Sequence, residues 1–278
     1  MEGAFGGYKG ENNMEINEHL SLIQMNEIPV VVMKHTTGEA KIALQGAQLL
    51  SWQPAGAAQD VFWLSEIEPF KAGQAIRGGI PICYPWFGPR FQPSHGTARL
   101  RLWQLSDDQI DTDKVMLEFS LFDEQGIIEA KVRMRFAETC QMTFTHYGQD
   151  SAQAALHSYF RVADIAHTEV QNLPEQCFNQ LTGRVQNVPS PRIIDREVDC
   201  IYHLEQADSQ IVDQRWQRKI SISHQQAGEI VLWNPWQKPT SSMSEEGHKS
   251  MLCVETARLS RPLQFGESIG VEIAFNTF

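Results

Sequence analysis

The stretch Lys131-Val132-Arg133-Met134-Arg135-Phe136 alternates polar and apolar side chains without interruption. Successive side chains of a β-strand point to opposite faces, so the three apolar residues of this stretch share one face. The same period of two recurs at residues 118–121, 219–223 and 270–275. Each segment is therefore predicted to be a strand that buries one face and exposes the other.

Further short β-rich segments surround these strands, at residues 29–34, 40–52, 115–123, 127–137, 141–146, 155–162 and 229–233. Polar turn sequences such as Asp123-Glu124-Gln125-Gly126 separate them, and no long segment has a helical period. Many strands joined by short turns favour an antiparallel β-sandwich or barrel over a parallel α/β sheet. We expect one all-β domain over residues 15–278, after a Gly-rich flexible extension over residues 1–14.

Composition excludes several classes of protein. The 278 residues are 42% hydrophobic, enough for a sizeable core, and a net charge of −11 disfavours nucleic acid and anionic lipid as partners. No apolar run reaches the length of a membrane span. The five cysteines are odd in number and include no Cys-x-x-Cys pair, so neither a disulfide framework nor a structural zinc site is expected. We expect a cytoplasmic monomer with no nucleic-acid or membrane partner.

One segment departs from the rhythm of strands and from the acidic character of the chain. Residues 69–106 are rich in Pro, Gly and aromatic residues and contain no Asp or Glu, where the average composition would place about five. Their basic residues are Lys71, Arg77, Arg90, Arg99 and Arg101. A loop this long inside a compact domain is usually functional or disordered, and its aromatic content argues against disorder. The segment therefore predicts a positive pocket for a small anion.

Two motifs inside this segment are candidates for ligand binding. The turn Arg77-Gly78-Gly79 would let the backbone approach a ligand closely, with a guanidinium beside it that can bind two phosphate oxygens. A plain tight turn with a surface Arg is the alternative. The second motif, Ser94-His95-Gly96-Thr97-Ala98-Arg99, places a His and an Arg around a Gly just before a predicted strand. These side chains are polar contacts to a ligand, or His95 is a buried structural residue that is hydrogen-bonded to backbone.

Three later motifs are candidates for chemistry. His157 and Tyr159 share one face of a predicted strand, where they line a pocket or face solvent. Glu255 lies in the apolar segment 251–257; if buried it would have a raised pKa and act as a base, and the alternative is a solvent-facing Glu. A third motif is Trp233-Asn234-Pro235-Trp236. Its tryptophan rings pack against the apolar faces of a sugar, or they cover the end of the hydrophobic core.

Other chemistries lack their motifs. The chain has no P-loop, no Gly-x-Gly-x-x-Gly after a strand, no His-Glu-x-x-His and no Gly-x-Ser-x-Gly. A dedicated nucleotide or metal site is therefore unsupported by the sequence.

Taken together, the motifs resemble those of the hexose-6-phosphate mutarotases, the glucose-6-phosphate 1-epimerase branch of the aldose 1-epimerase superfamily. The resemblance spans residues 40–260 and rests on six segments: 44–52 with 63–65, 76–88, 95–103, 156–160, 197–199 with 233–236, and 253–255. The Arg77-Gly78-Gly79-Ile80-Pro81 block and the later His95-Gly96-Thr97-Ala98-Arg99 are specific to this branch. It implies a large antiparallel β-sandwich of the galactose-mutarotase type.

The resemblance also implies roles for single residues. It makes His157 the general acid and Glu255 the general base of a cofactor-free epimerase that interconverts the anomers of a hexose 6-phosphate, glucose 6-phosphate first. It places six further residues at substrate-binding positions: Arg77, Ser94, His95, Arg99, Asp199 and Trp233. No metal or organic cofactor is expected.

Two other functions remain open on the same fold. A sugar-phosphate sensor or carbohydrate-binding protein would keep the Trp and Arg residues, but it would not need His157 and Glu255. A mutarotase for unphosphorylated sugars would have no use for the basic, acid-free segment 69–106.

Overall fold

The structure, a computed structural model, describes residues 13–278. These residues form twenty-two strands: β1 Met14–Glu15, β2 Leu20–Met25, β3 Ile28–His35, β4 Gly38–Ala43, β5 Gln48–Pro54, β6 Ile82–Cys83, β7 Gln104–Ile110, β8 Val115–Phe122, β9 Ile128–Phe136, β10 Thr139–His146, β11 Ala152–Leu156, β12 Tyr159–Arg161, β13 Thr168–Gln171, β14 Gln176–Asn179, β15 Arg184–Asn187, β16 Arg192–Ile193, β17 Val198–His203, β18 Asp208–Asp213, β19 Arg218–Gln225, β20 Glu229–Asn234, β21 Met251–Leu263 and β22 Ser268–Thr277. Four short 3₁₀ helices join them: Gly88–Arg90, Ala98–Leu100, Ile165–His167 and Gly247–Ser250.

The strands form three antiparallel sheets. The first runs β1 to β5 in chain order, and the second has nine strands in the order β16-β13-β18-β19-β22-β10-β9-β8-β7. The third, an eight-stranded sheet, has the order β15-β14-β17-β20-β21-β11-β6, with β12 also paired to β21. The predicted all-β antiparallel fold is confirmed, and no α-helix occurs among residues 13–278.

The alternating stretch behaves as its sequence predicts. It forms most of β9, and its three apolar residues are completely buried in the main core. In β21, Leu252 and Val254 join the same core, while Cys253 and Glu255 alternate with them and project from the opposite side. We call this opposite side of the eight-stranded sheet the site face.

Two predicted segments are each divided in the structure. Residues 40–52 form β4 and β5 with a turn between them, at which Gly46 and Ala47 have positive φ angles. Residues 155–162 are broken at His157 and Ser158, where the His157 N–H donates to the Pro81 carbonyl at 3.0 Å. This break places His157 between two short strands instead of inside one.

The domain limits stay a prediction. Residues 1–12 of the expected extension lie outside the described residues, and Met14 begins β1 by pairing with Leu22.

Candidate active site

Strand register decides which side chains meet on the site face. Trp233 of β20 lies opposite Cys253 of β21, and Asp199 of β17 lies opposite Trp233. Directly opposite residues project from the same face, so these three side chains form one row. Glu255 is two residues further along β21 and therefore joins them. The fold thus brings three of the predicted site residues onto one surface.

His157 and Glu255 form a buried pair at the centre of this face. Their Nε2 and Oε1 atoms are 3.4 Å apart, and the two residues are only 7% and 1% exposed. Within residues 13–278, neither the second nitrogen of His157 nor the second oxygen of Glu255 has a hydrogen-bond partner. Buried polar atoms are seldom left unpaired, which makes each a candidate for a ligand contact. The solvent-facing alternatives for both residues are wrong.

Burial shifts the proton affinities of the two groups in opposite directions. It raises the pKa of Glu255 well above its usual range, and the charge of Asp199 adds to this effect. Burial also lowers the pKa of His157 well below its usual range, and the positive fields of His95, Arg99 and Arg77 act in the same direction. Both shifts favour the neutral forms in the free protein, a protonated Glu255 and an uncharged His157.

Aromatic rings fix the orientation of His157. Its ring stacks on Tyr159, with centroids 4.8 Å apart and planes 10° apart. His95 and Trp233 meet it edge-on, at centroid distances of 5.6 and 6.1 Å. Stacking on one side and edges on two others hold the imidazole in one plane.

His95 stands at a strained position beside this pair. Its φ angle is +63°, a conformation that non-Gly residues adopt infrequently and that often occurs at functional sites. Burial, followed by the fields of Arg99 and Arg77, lowers the pKa of His95 to about 4. His95 is therefore neutral near pH 7, and its Nδ1 accepts the Gly88 N–H at 3.3 Å. The proton of its imidazole is then on Nε2, which can act as a donor.

The predicted arginines have different degrees of restraint. Arg77 donates from Nη1 to the Tyr159 hydroxyl at 2.9 Å, and from Nε and Nη2 to the carbonyl and hydroxyl oxygens of Ser241 at 3.0 and 3.1 Å. Arg99 donates from Nη2 to the Ser94 carbonyl at 2.8 Å. Ser94 therefore contributes its backbone to the restraint of Arg99. The Arg99 Nε has no partner within residues 13–278.

Asp199 is held near Glu255 by a side-chain amide. Gln180 donates from Nε2 to its Oδ1 at 2.5 Å, and burial followed by the charge of Glu197 raises the pKa of Asp199 despite this hydrogen bond. Of the two candidate tryptophans, Trp233 contacts His157, whereas Trp236 packs against the main core. The core-cap interpretation therefore holds for Trp236.

The interpretation of Gly78 and Gly79 as a close approach to a ligand is wrong. A Cβ at Gly79 would lie 2.0 Å from the Leu49 carbonyl oxygen, and one at Gly78 would lie 2.5 Å from that of Trp63. Both residues also have positive φ angles, +62° and +126°. The two glycines are required because other parts of the chain pack against this turn, which in turn fixes the backbone of Arg77.

Sequence reasoning missed three polar residues of this region. Glu68 accepts the Arg77 N–H at 2.7 Å, Gln180 holds Asp199, and Ser241 holds the Arg77 guanidinium. Glu68 immediately precedes the acid-free segment, a signal that could have drawn attention to it. Ser241 lies in an ordinary polar turn far along the chain, and no local pattern indicates its contact.

A separate cavity lies elsewhere on the molecule. Its volume is about 610 Å³, and its lining includes Trp86, Phe91, Glu129 and Asp150. None of the eight predicted site residues is among the described residues that line it. The titratable pair and the arginines lie on the site face instead, so the chemistry is assigned there.

The chain is similar to known proteins over nearly its whole length. The family model described as aldose 1-epimerase matches residues 29–276. A Haemophilus influenzae protein named "Putative glucose-6-phosphate 1-epimerase" is 55% identical over 93% of this chain and 96% of its own length. An Escherichia coli K12 protein of the same name is 36% identical over 92% of this chain and 95% of its own. A crystal structure described as a putative mutarotase from Salmonella typhimurium superposes with a TM-score of 0.91 at 32% identity, over 95% and 96% of the two chains.

Two features of other classes of protein are absent from residues 13–278. No group of three or more His, Cys, Asp or Glu side chains there is arranged to hold a metal ion. No helix in this part of the chain has the length and apolar character needed to cross a membrane.

Proposed function

The chain belongs to the aldose 1-epimerase family and is an isomerase of the epimerase type, and we propose that it interconverts the α and β anomers of a hexose 6-phosphate. Glucose 6-phosphate is the first substrate to test, because two relatives named for its 1-epimerisation match nearly the whole chain. The observation that carries the proposal is the buried pair of His157 and Glu255, 3.4 Å apart, with two arginines close by.

The two residues divide the proton transfers between them. Glu255 as carboxylate takes the proton of the C1 hydroxyl, and the O1 electrons form the carbonyl as the C1–O5 bond breaks. His157 as imidazolium gives a proton to O5, which receives the electrons of the broken bond. The open aldehyde rotates about C1–C2, and the ring closes on the other face with both roles reversed. Each positioned proton transfer accelerates such a reaction by about 10²–10⁴-fold.

The pKa directions suit a reversible reaction. The forward step leaves Glu255 protonated and His157 neutral, and ring closure must restore the first state. Burial favours the neutral pair, while the opposite charges of the ionised pair attract each other at 3.4 Å. These two effects oppose each other, so neither protonation state is favoured by both.

Arg77 and Arg99 support a phosphorylated substrate. Both come from the basic segment that contains no Asp or Glu, and their positive fields reach His157. A guanidinium binds phosphate oxygens through charge-assisted hydrogen bonds. Asp199 and His95 would contact sugar hydroxyls, as acceptor and donor, and Trp233 would cover the ring. A sensor of sugar phosphates would need the arginines, but it would not need an acid and a base in contact.

The test is anomer exchange measured by NMR exchange spectroscopy. The protein should accelerate the exchange of glucose 6-phosphate far more than that of glucose, and His157→Ala should abolish the acceleration. His167→Ala is the matched control, because His167 is exposed and paired with Asp164 away from the site. Equal acceleration of glucose would indicate a mutarotase for free sugars. Binding of glucose 6-phosphate without acceleration would instead indicate a sensor.

A further inference from the structure

A tight turn between β20 and β21 contacts Arg77. Its four residues run from Thr240 to Met243, and the Met243 N–H donates to the Thr240 carbonyl at 3.2 Å. Ser242 in this turn has a φ angle of +54°, where Gly is the usual residue. A non-Gly residue keeps this strained backbone conformation only where the surrounding structure holds it in place. We call residues 240–243 the serine turn.

The serine turn is fixed at its C-terminal end. Met243 packs in a buried cluster with Trp63 and Tyr159, and the adjacent Ser244 donates its hydroxyl to Glu66. The turn is therefore attached to the cluster that contains Tyr159, the ring that stacks on His157, although the two lie far apart in the sequence.

Ser241 holds the Arg77 guanidinium through two atoms. Its carbonyl oxygen accepts from Nε at 3.0 Å, and its hydroxyl oxygen accepts from Nη2 at 3.1 Å. Tyr159 accepts from Nη1 on the other side of the same planar group. A guanidinium held from both sides loses little further side-chain freedom when it binds an anion.

The direction of the Ser241 hydrogen bond leaves its own proton available. A hydroxyl has one donor proton and two acceptor lone pairs, and Arg77 occupies one of the lone pairs. Ser241 is exposed, so a ligand can reach this hydroxyl. A phosphate dianion only accepts hydrogen bonds, and one placed beside Arg77 can receive from both the guanidinium and the hydroxyl.

We propose that the serine turn forms the second side of the phosphate subsite, with Ser241 both positioning Arg77 and donating its hydroxyl proton to the 6-phosphate of the substrate. This inference rests on the proposed function and adds a residue that sets the preference for phosphorylated over free sugars. If the Ser241 hydroxyl only held the turn in place, its removal would change the stability of the protein but not the preference for phosphorylated sugars.

The first experiment compares sugar preference in variants of the serine turn. Ser241→Ala keeps the carbonyl contact and removes the hydroxyl, so kcat/KM for glucose 6-phosphate exchange should fall by about 10- to 100-fold, mainly through KM. Exchange of plain glucose should not change. Ser241→Thr should restore most of the loss because it keeps a hydroxyl. Ser151→Ala is the matched control, because this exposed serine lines the separate cavity and has no described hydrogen bond to Arg77, and it should behave as wild type.

The second experiment does not depend on turnover. Inorganic phosphate should raise the melting temperature of the wild-type protein and of Ser241→Thr, and it should raise that of Ser241→Ala much less. If Ser241→Ala proves unstable, Ser241→Cys replaces it, and its thiol, a weaker donor, should also reduce the phosphate effect.

The outcomes separate the two proposals. If wild-type protein fails to accelerate glucose 6-phosphate exchange, the proposed function fails, and the phosphate effect on melting still tests the subsite. If Ser241→Ala retains the wild-type preference for the phosphorylated sugar and the wild-type phosphate effect, the inference about Ser241 is overturned while the proposed function stands.

Discussion

Glu255→Gln separates the proposed catalytic role of this residue from its effect on folding. Gln has nearly the same size and shape as Glu, so the packing on the site face should be retained. It cannot take a proton from the C1 hydroxyl. Loss of one positioned base should slow the exchange of glucose 6-phosphate by about 10²–10⁴-fold, or roughly 3–5 kcal/mol in the barrier. NMR exchange spectroscopy measures this rate after the rate without enzyme is subtracted.

The same substitution should stabilise the protein above pH 5. Glu255 is 1% exposed, and burial raises its pKa in the folded state. Below the unfolded pKa of about 4.3, Glu255 is protonated in both states and has no such effect. As pH rises, Glu255 ionises first in the unfolded chain. The free energy of unfolding of wild type therefore falls by about 1.4 kcal/mol for each pH unit until the pKa of Glu255 in the folded state is passed. Urea unfolding measures the free energy of unfolding of both proteins at pH 4 and pH 8. The difference in favour of Glu255→Gln should be larger at pH 8 than at pH 4.

Glu229→Gln is the control for a buried carboxylate outside the catalytic pair. Glu229 is also 1% exposed, but the backbone N–H groups of Leu259 and Ser260 donate to it at 2.8 and 3.0 Å. Its replacement should therefore destabilise the protein and leave the exchange rate unchanged. Full activity in Glu255→Gln would refute the assignment of the base. Lower stability of that variant at pH 8 would show that His157 and Glu255 form an ion pair in the free protein.

Three further predictions follow from single contacts. Tyr159→Phe keeps the ring that stacks on His157 but removes the acceptor for Arg77. KM for glucose 6-phosphate should therefore rise about 3- to 10-fold with kcat nearly unchanged, and exchange rates over a range of concentrations test this. Gly79→Ala should lower the free energy of unfolding by more than about 3 kcal/mol or prevent folding. Gly56→Ala, whose added Cβ would have no atom within 4 Å, should lower it by about 1–2 kcal/mol, and urea unfolding measures both. Burial lowers the pKa of His224 to about 4, so between pH 7 and pH 4 this residue takes up its proton first in the unfolded state. Over that range the free energy of unfolding of wild type should fall by about 3 kcal/mol more than that of His224→Gln, again measured by urea unfolding.

The fold was predictable wherever one face of a strand is buried. Alternation in the Lys131–Phe136 stretch is a local consequence of burying three of its six side chains, and the sequence displays it directly. The strand break at His157 was not predictable in this way. It depends on a hydrogen bond to Pro81, a distant residue whose position is set by the pairing of β6 with β11.

The site was predictable as a list of residues but not as an arrangement. The charge imbalance of segment 69–106 and the isolated carboxylate of Glu255 are visible in the sequence because both conflict with their surroundings. Ser241 conflicts with nothing locally, so only the folded chain shows its contact with Arg77. Gly79 was misinterpreted for the opposite reason: its need for close approach is real, but the approaching group is the protein's own backbone.

The charge of the substrate gives the arginines a second effect on the reaction. The fields of Arg99 and Arg77 help to keep the pKa of His157 low, which favours its neutral form in the free protein. A phosphate dianion bound to Arg77 as proposed would cancel part of this positive field, because opposite charges a few ångströms apart compensate each other strongly away from bulk water. The proton affinity of His157 would then rise when the phosphorylated sugar binds, and the imidazolium needed to open the ring would become more populated. A free sugar leaves the field in place. Preference for the phosphate ester would therefore arise in the protonation of the acid as well as in binding, although the phosphate takes no part in breaking the C1–O5 bond.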